Sequence, residues 1–158
     1  MKNELFAYLA GAIDSDGTIG IKRSTYAMRV RKDAGAPVFS ERVALRQVTP
    51  QIPNLLKKTF GGSLYITKPS VPKGKPLWSW AATDLRALEC LTALMPFLRV
   101  KRKQAMNCLA LRKVKRSSMK AKVRFGRGHA GAAARPKRLT DRMECLYENA
   151  KTLNRVGV

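Results

Sequence analysis

The chain has 158 residues and carries 32 Lys plus Arg against 10 Asp plus Glu, a formal net charge of +22, while 45% of its residues are hydrophobic. That apolar share excludes a disordered basic tail, and the charge requires a polyanionic partner, nucleic acid ahead of an anionic membrane. The longest uncharged apolar run, residues 5–13, is nine residues long. It is too short to span a bilayer, so no membrane partner is expected.

Charge is unevenly spread. Residues 1–20 carry a net −2, whereas residues 99–138 carry +15 without one acid. The opening segment is thus the one acidic spot opposite a basic field, the place for a divalent metal bound together with a polyanion. Cys90, Cys108 and Cys145 are odd in number and lack CxxC or His spacing. This argues against zinc and against a disulfide scaffold, and predicts buried thiols in an intracellular, reducing compartment, cytoplasm or organelle. Glu4 before the apolar run and Asp14 and Asp16 after it argue against a signal peptide.

In chain order, Asn3 can cap a helix over about 4–14, with Leu5, Phe6, Leu9 and Ile13 at helical spacing and the small residues Ala7, Ala10 and Gly11 allowing another helix close. Gly17 ends it. Residues 18–31 and 38–48 then alternate, Phe39, Val43 and Leu45 sharing a face with Glu41 and Gln47, around a turn at 33–37. A short helix over 53–60 holds Pro53 in its first turn and closes at Gly61-Gly62. A second hairpin follows, with Leu64, Ile66, Trp78 and Trp80 inward, Tyr65 and Thr67 outward, and a basic tip at 68–75. Helices over 84–95 and 101–115, a basic arm over 116–138 and a last amphipathic helix over 139–154 complete the order αββαββααα. The fold class is α+β with an antiparallel sheet. The division is a core over 1–115 and a basic arm with a C-terminal helix packed on it over 116–158.

Leu9-Ala-Gly-Ala-Ile-Asp-Ser-Asp-Gly17 resembles the signature of the LAGLIDADG homing endonucleases, identical at seven of nine positions. Pro96-Phe-Leu-Arg-Val-Lys-Arg-Lys-Gln-Ala105 resembles the segment in which single-motif members carry an active-site lysine. The resemblance implies the αββαββα homing-endonuclease fold with a DNA-binding saddle sheet and extra C-terminal helices. It implies an intron-encoded hydrolase: a site-specific double-strand DNA endonuclease, dependent on Mg²⁺ or another divalent cation such as Mn²⁺ or Ca²⁺. A single motif implies a homodimer, its motif helices packed at a two-fold axis through Ala7, Ala10 and Gly11.

Phosphodiester hydrolysis needs a hard cation on oxygen ligands. An Asp at a helix C-terminus opposes the dipole, which makes sense if a metal binds it. Asp16 is therefore the expected metal ligand, with the Ser15 carbonyl as auxiliary, and Asp14 is expected to be structural. An EF-hand loop is excluded by Thr18 and Ile19. By resemblance, Lys101 stands near the scissile phosphate, and Gln47 is the residue that orders active-site water. On the residues alone, a solvated phosphate contact and a polar strand cap remain open for them. Where relatives place a further base four residues on, this chain has Gln51; Arg99 or Lys103 are the candidates to compensate.

Strand parity assigns Lys22, Ser24, Tyr26, Ser40, Arg42, Arg46, Tyr65, Thr67, Lys68 and Ser79 to the DNA-reading face, and the hairpin-tip residues Arg29, Arg31, Lys73 and Lys75 to phosphate contacts. Trp78 and Trp80 are read as core, and His129 as a surface residue. The alternative function is an RNA-binding splicing maturase, its partner intron RNA. A third, a basic structural protein of the ribosomal kind, explains the charge but not the motif.

Overall fold

The computed structural model describes residues 2–24, 37–69, 74–124 and 137–156. The elements are α1 (Lys2–Asp16), β1 (Gly17–Ser24), β2 (Val38–Gln47), α2 (Gln51–Phe60), β3 (Ser63–Thr67), β4 (Leu77–Thr83), α3 (Asp84–Leu94), α4 (Arg102–Arg124) and α5 (Lys137–Val156). The order is the expected αββαββααα, with most helix boundaries shifted by one or two residues and two shifts that matter. Because α1 starts at Lys2, Asn3 lies inside it rather than capping it. And α4 runs past residue 115 to Arg124, since Lys, Arg, Met and Ala favour the helix there and glycines begin only at Gly126.

The four strands form one antiparallel sheet in the order β1-β2-β4-β3. The period-two pattern decides its faces. Ile19, Ile21, Phe39, Val43, Leu45, Trp80 and Ala82 are buried on the inner face, against Leu9 and Ile13 of α1, Leu91 and Leu94 of α3, Leu111 of α4 and Met143 of α5. Each of the buried Ile, Leu, Val, Phe and Met side chains is worth about 1.5–3 kcal/mol relative to exposure. Trp80 also donates its indole N–H to the Gly61 carbonyl at 2.8 Å. That approach needs the positive φ of Gly61 and Gly62, and a Cβ on Gly62 would lie 2.6 Å from the Ala81 carbonyl oxygen.

At the far end of the inner face, fully buried Glu41 accepts from Arg112 at 2.6 Å and Lys115 at 3.1 Å, and Lys115 also reaches Asp84 at 2.6 Å. These pairs tie β2 to α4 and to the start of α3. The last helix, α5, lies along the free edge of the sheet at β1. Tyr147 packs on Phe39 with ring centroids 6.0 Å apart, and Glu144 pairs with Arg23 at 3.3 Å. Asn107 of α4 donates to the Leu146 carbonyl at 2.8 Å.

Cys90 and Cys108 are buried, and desolvation pushes each thiol up to about 12. Cys145, expected to be buried with them, is instead exposed on α5, because the core stripe of that helix passes through Met143 and Ala150. Among the described residues no helix is long and apolar enough to cross a membrane.

Candidate nucleic-acid and metal site

The last carbonyls of a helix lack intrahelical donors, and the first N–H groups lack acceptors. Here two helices answer each other. The Lys101 ammonium, just before α4, donates to the carbonyls of Ile13 at 2.9 Å, Asp14 at 2.6 Å and Ser15 at 3.2 Å, closing the end of α1. In return, the Asp14 carboxylate accepts the backbone N–H groups of Arg99 at 2.7 Å, Val100 at 3.2 Å and Lys101 at 2.9 Å, closing the start of α4. Asp14 is thus structural, as read from sequence. All three N–H bonds of Lys101 have acceptors on the main chain. Desolvation draws its pKa below the ordinary lysine value, against the opposing pull of Asp14 and Asp16.

This interlock fixes the position of Asp16, whose carboxylate is exposed at the junction of α1 and β1. The junction is tight: a Cβ on Gly17 would stand 2.7 Å from the Ile13 carbonyl oxygen. One Asp16 oxygen accepts from Gln47 Nε2 at 2.9 Å, across from the end of β2. That bond, then the Ser15 side chain and the Lys101 charge, hold the carboxyl below its ordinary value, outweighing a little desolvation. Gln47 Oε1 is buried without a partner. Asp16, the Ser15 carbonyl and Gln47 Oε1 are all hard oxygen donors. Among the described residues no group of three or more His, Cys, Asp or Glu could hold a metal. One carboxylate suits a Mg²⁺-like ion only when waters and substrate phosphates complete the shell.

From Asp16 the outer face of the sheet extends as expected from parity. Lys22 is exposed opposite Ser40, Arg42 lies between Gly20 and Thr83, and Arg46 faces Ser79, which in turn faces Tyr65. Lys68 and Lys75 are exposed beside the second hairpin. Tyr26, Arg29, Arg31, Lys73 and His129 lie outside the described residues. Two assignments need correction. Ser79 is 1% exposed and its hydroxyl lies 3.1 Å from that of Thr67, so it does not read a ligand. It sits between Arg46 and Tyr65 on an interior strand, where larger neighbours shield a small side chain. Ala10 is fully buried in this chain's own core. The open face of α1 is instead Ala7, Tyr8 and Gly11. Of the two bases proposed to compensate for Gln51, both are exposed, and Lys103 lines a hollow with Met106 and Asn149 between α4 and α5.

The last helix, α5, adds a wall to this face. A trough of about 510 Å³ runs along β1 from Asp16 past Thr18 and Gly20 to Lys22, with Arg42 and Arg46 on one side and Tyr147, Lys151 and Asn154 on the other. In the sequence the wall is a helical stripe, Tyr147, Ala150 and Asn154, continuing beyond the core residue Met143.

No protein-family model matches the chain, and no curated protein does. Solved structures do. The homing endonuclease I-CvuI, in complex with the I-CreI target in 2 mM Mg with the DNA not cleaved, superposes with a TM-score of 0.65 at 20% identity, over 96% of this chain and 83% of that one. The archaeal intron-encoded homing endonuclease I-Vdi141I, complexed with DNA, gives 0.69 at 11% identity over 97% and 86%. The LAGLIDADG homing endonuclease I-LtrWI, bound to target DNA, gives 0.51 at 17% identity over 74% of this chain and 39% of that one. The fold of the chain is the LAGLIDADG homing-endonuclease fold.

Proposed function

We propose that the chain is a site-specific double-strand DNA endonuclease that works as a homodimer with a divalent cation. The observation that carries this reading is the exposed Asp16 carboxylate, held by Gln47 and by the interlocked ends of α1 and α4, at the head of a basic sheet face in this fold. Asp16 and the Ser15 carbonyl would hold the cation. When bound, Mg²⁺, or Mn²⁺ or Ca²⁺ in its place, would polarise the scissile phosphate and lower the pKa of a water so that hydroxide could attack. Gln47 donates one amide N–H to Asp16 and so holds the carboxylate in one orientation. Lys101 acts by fixing the helix end that carries Asp16. Arg46, Arg42 and Lys22 meet the major groove, where Arg can read guanine through two hydrogen bonds.

Cutting both strands takes two such carboxylates, and each chain has one motif. The open stripe of Ala7, Tyr8 and Gly11 supports pairing with a second copy, because a Cβ added at Gly11 meets nothing within 4 Å. Residues 1–115 would form the cleaving core, with α5 packed on it. The test is selection of cleaved sites from a randomised duplex library in Mg²⁺. The wild-type chain is expected to cut a pseudo-palindromic site, and Asp16→Asn to bind that site without cutting. Cleavage by the variant would overturn the assignment.

A further inference from the structure

We infer that α5 is a working wall of the DNA interface: one strand's sugar-phosphate backbone lies in the trough between α5 and β1, with the Asn154 amide as a contact no strand supplies. The inference rests on the nuclease reading and extends it to an element outside the motif-bearing core.

Dimensions give the first argument. Three inter-strand spacings of about 4.8 Å make the sheet about 14 Å wide, whereas the major groove is about 12 Å wide. A sheet seated in that groove therefore has a phosphate backbone at each edge. The edge strand on one side is β1, and α5 flanks it.

Charge gives the second. The α5 carboxylates nearest the trough are already paired, Glu144 with Arg23 at 3.3 Å and Glu148 with Lys151 at 2.9 Å, and the Lys151 ammonium lies 5.3 Å from the Tyr147 ring centroid. The Lys22, Arg42 and Arg46 side chains have no ion pair or hydrogen bond among the described residues. The trough thus presents three uncompensated cations and, at its head, Asp16, where the cation of the proposed reaction would reverse the local sign. A polyanion laid along it meets positive potential throughout.

Shape gives the third. The floor is small, with Thr18, Gly20 and Ala44, so the ligand can sink between the walls. A Cβ on Gly20 would lie 3.2 Å from Asn154 Nδ2, so the bare glycine lets the α5 end overhang the floor. The exposed Asn154 side chain has no hydrogen-bond partner among the described residues, which leaves its N–H groups for a phosphate or sugar oxygen.

The experiment is photo-crosslinking from a single thiol. Cys90 and Cys108 are buried with thiols raised to about 12, so Cys145→Ser removes the accessible cysteine of the described residues. In that background Asn154→Cys and, as a control on the α4-facing hollow, Thr152→Cys are labelled with an azidophenacyl group. Each is irradiated on a 40-base-pair random-sequence duplex at low salt. A crosslink from position 154 at least about tenfold stronger than from 152 is expected. Asn154→Ala is expected to raise the dissociation constant for the same duplex about fivefold, the worth of one ordinary hydrogen bond. Binding with equal or no crosslinking at both positions, and an unaltered Asn154→Ala, would overturn the inference and leave the nuclease reading standing. Failure of the unlabelled wild-type chain to bind duplex DNA would overturn both, and crosslinking to an RNA hairpin in preference to the duplex would replace the occupant.

Discussion

The two ends of the sheet each gather acids and bases, and they use them in opposite ways. At the far end, Glu41, Arg112, Lys115 and Asp84 neutralise one another, with Glu41 fully buried and both cations mostly covered. At the near end, Asp14 and Lys101 are satisfied by main-chain atoms, so Asp16 is left exposed with oxygen to offer and Gln47 holds a buried acceptor without a partner. The first cluster has its charges matched internally and serves the fold. The second keeps unmatched capacity at a surface, which is what a site for a cation and an anionic substrate needs. Charge density does not separate them, and neither do unpartnered buried atoms, since Glu41 Oε1 and Arg112 Nε lack partners too; the accessibility of the charged groups does.

The largest effect should come from Asp16→Asn. Loss of a metal ligand removes several kcal/mol of transition-state stabilisation, so duplex cleavage should fall by about four orders of magnitude. Stability, followed by denaturant unfolding, should move by no more than about 0.5 kcal/mol, since the carboxylate is exposed. Glu41→Ala should do the reverse. Stranding Arg112 and Lys115 with only half-exposed Asp84 should cost about 3 kcal/mol in the same unfolding measurement, while cleavage per folded molecule stays at the wild-type level. If both variants lost stability alike, the distinction between the two ends would fail.

Asp14→Ala belongs between them. It removes the acceptor of three N–H groups at the start of α4, a cap worth about 2 kcal/mol. It should also slow cleavage, because Lys101 and the end of α1 lose their mutual register. Gln47→Leu gives the smallest change. Without its hydrogen bond the Asp16 carboxyl should rise toward 3.8, as read by a ¹³C chemical-shift titration. The sign follows from the lowered native pKa: the linked stabilisation is present above the unfolded-state value and fades as pH falls through the native one. Acid should therefore cost the variant less than the wild type.

Much of this was legible in the sequence. The alternation Phe39, Glu41, Val43, Leu45, Gln47 fixed which side chains of β2 point inward, Glu41 and Gln47 among them, and the glycine after Asp16 marked the turn from helix to strand. Periodicity reports a face, though, and not what lies over it. Ser79 has the parity of a reader but is shielded on an interior strand, and Ala10 has the size of an interface residue but belongs to the core. The interlock of Asp14 with Lys101 joins residues far apart in the chain through main-chain atoms, which carry no residue-specific signature. The trough arises only when α5 docks beside β1, a placement that no local pattern specifies.

The central claim is that each of two chains brings one Asp16 to one strand. Wild-type and Asp16→Asn chains, carrying different tags and purified as mixed dimers, test it most directly on a supercoiled plasmid bearing the selected site. The account predicts nicking of a single strand, with no linear product, where wild-type dimers give linear DNA. Double-strand cleavage by the mixed dimer, or a wild-type chain that cuts both strands as a monomer, would contradict it.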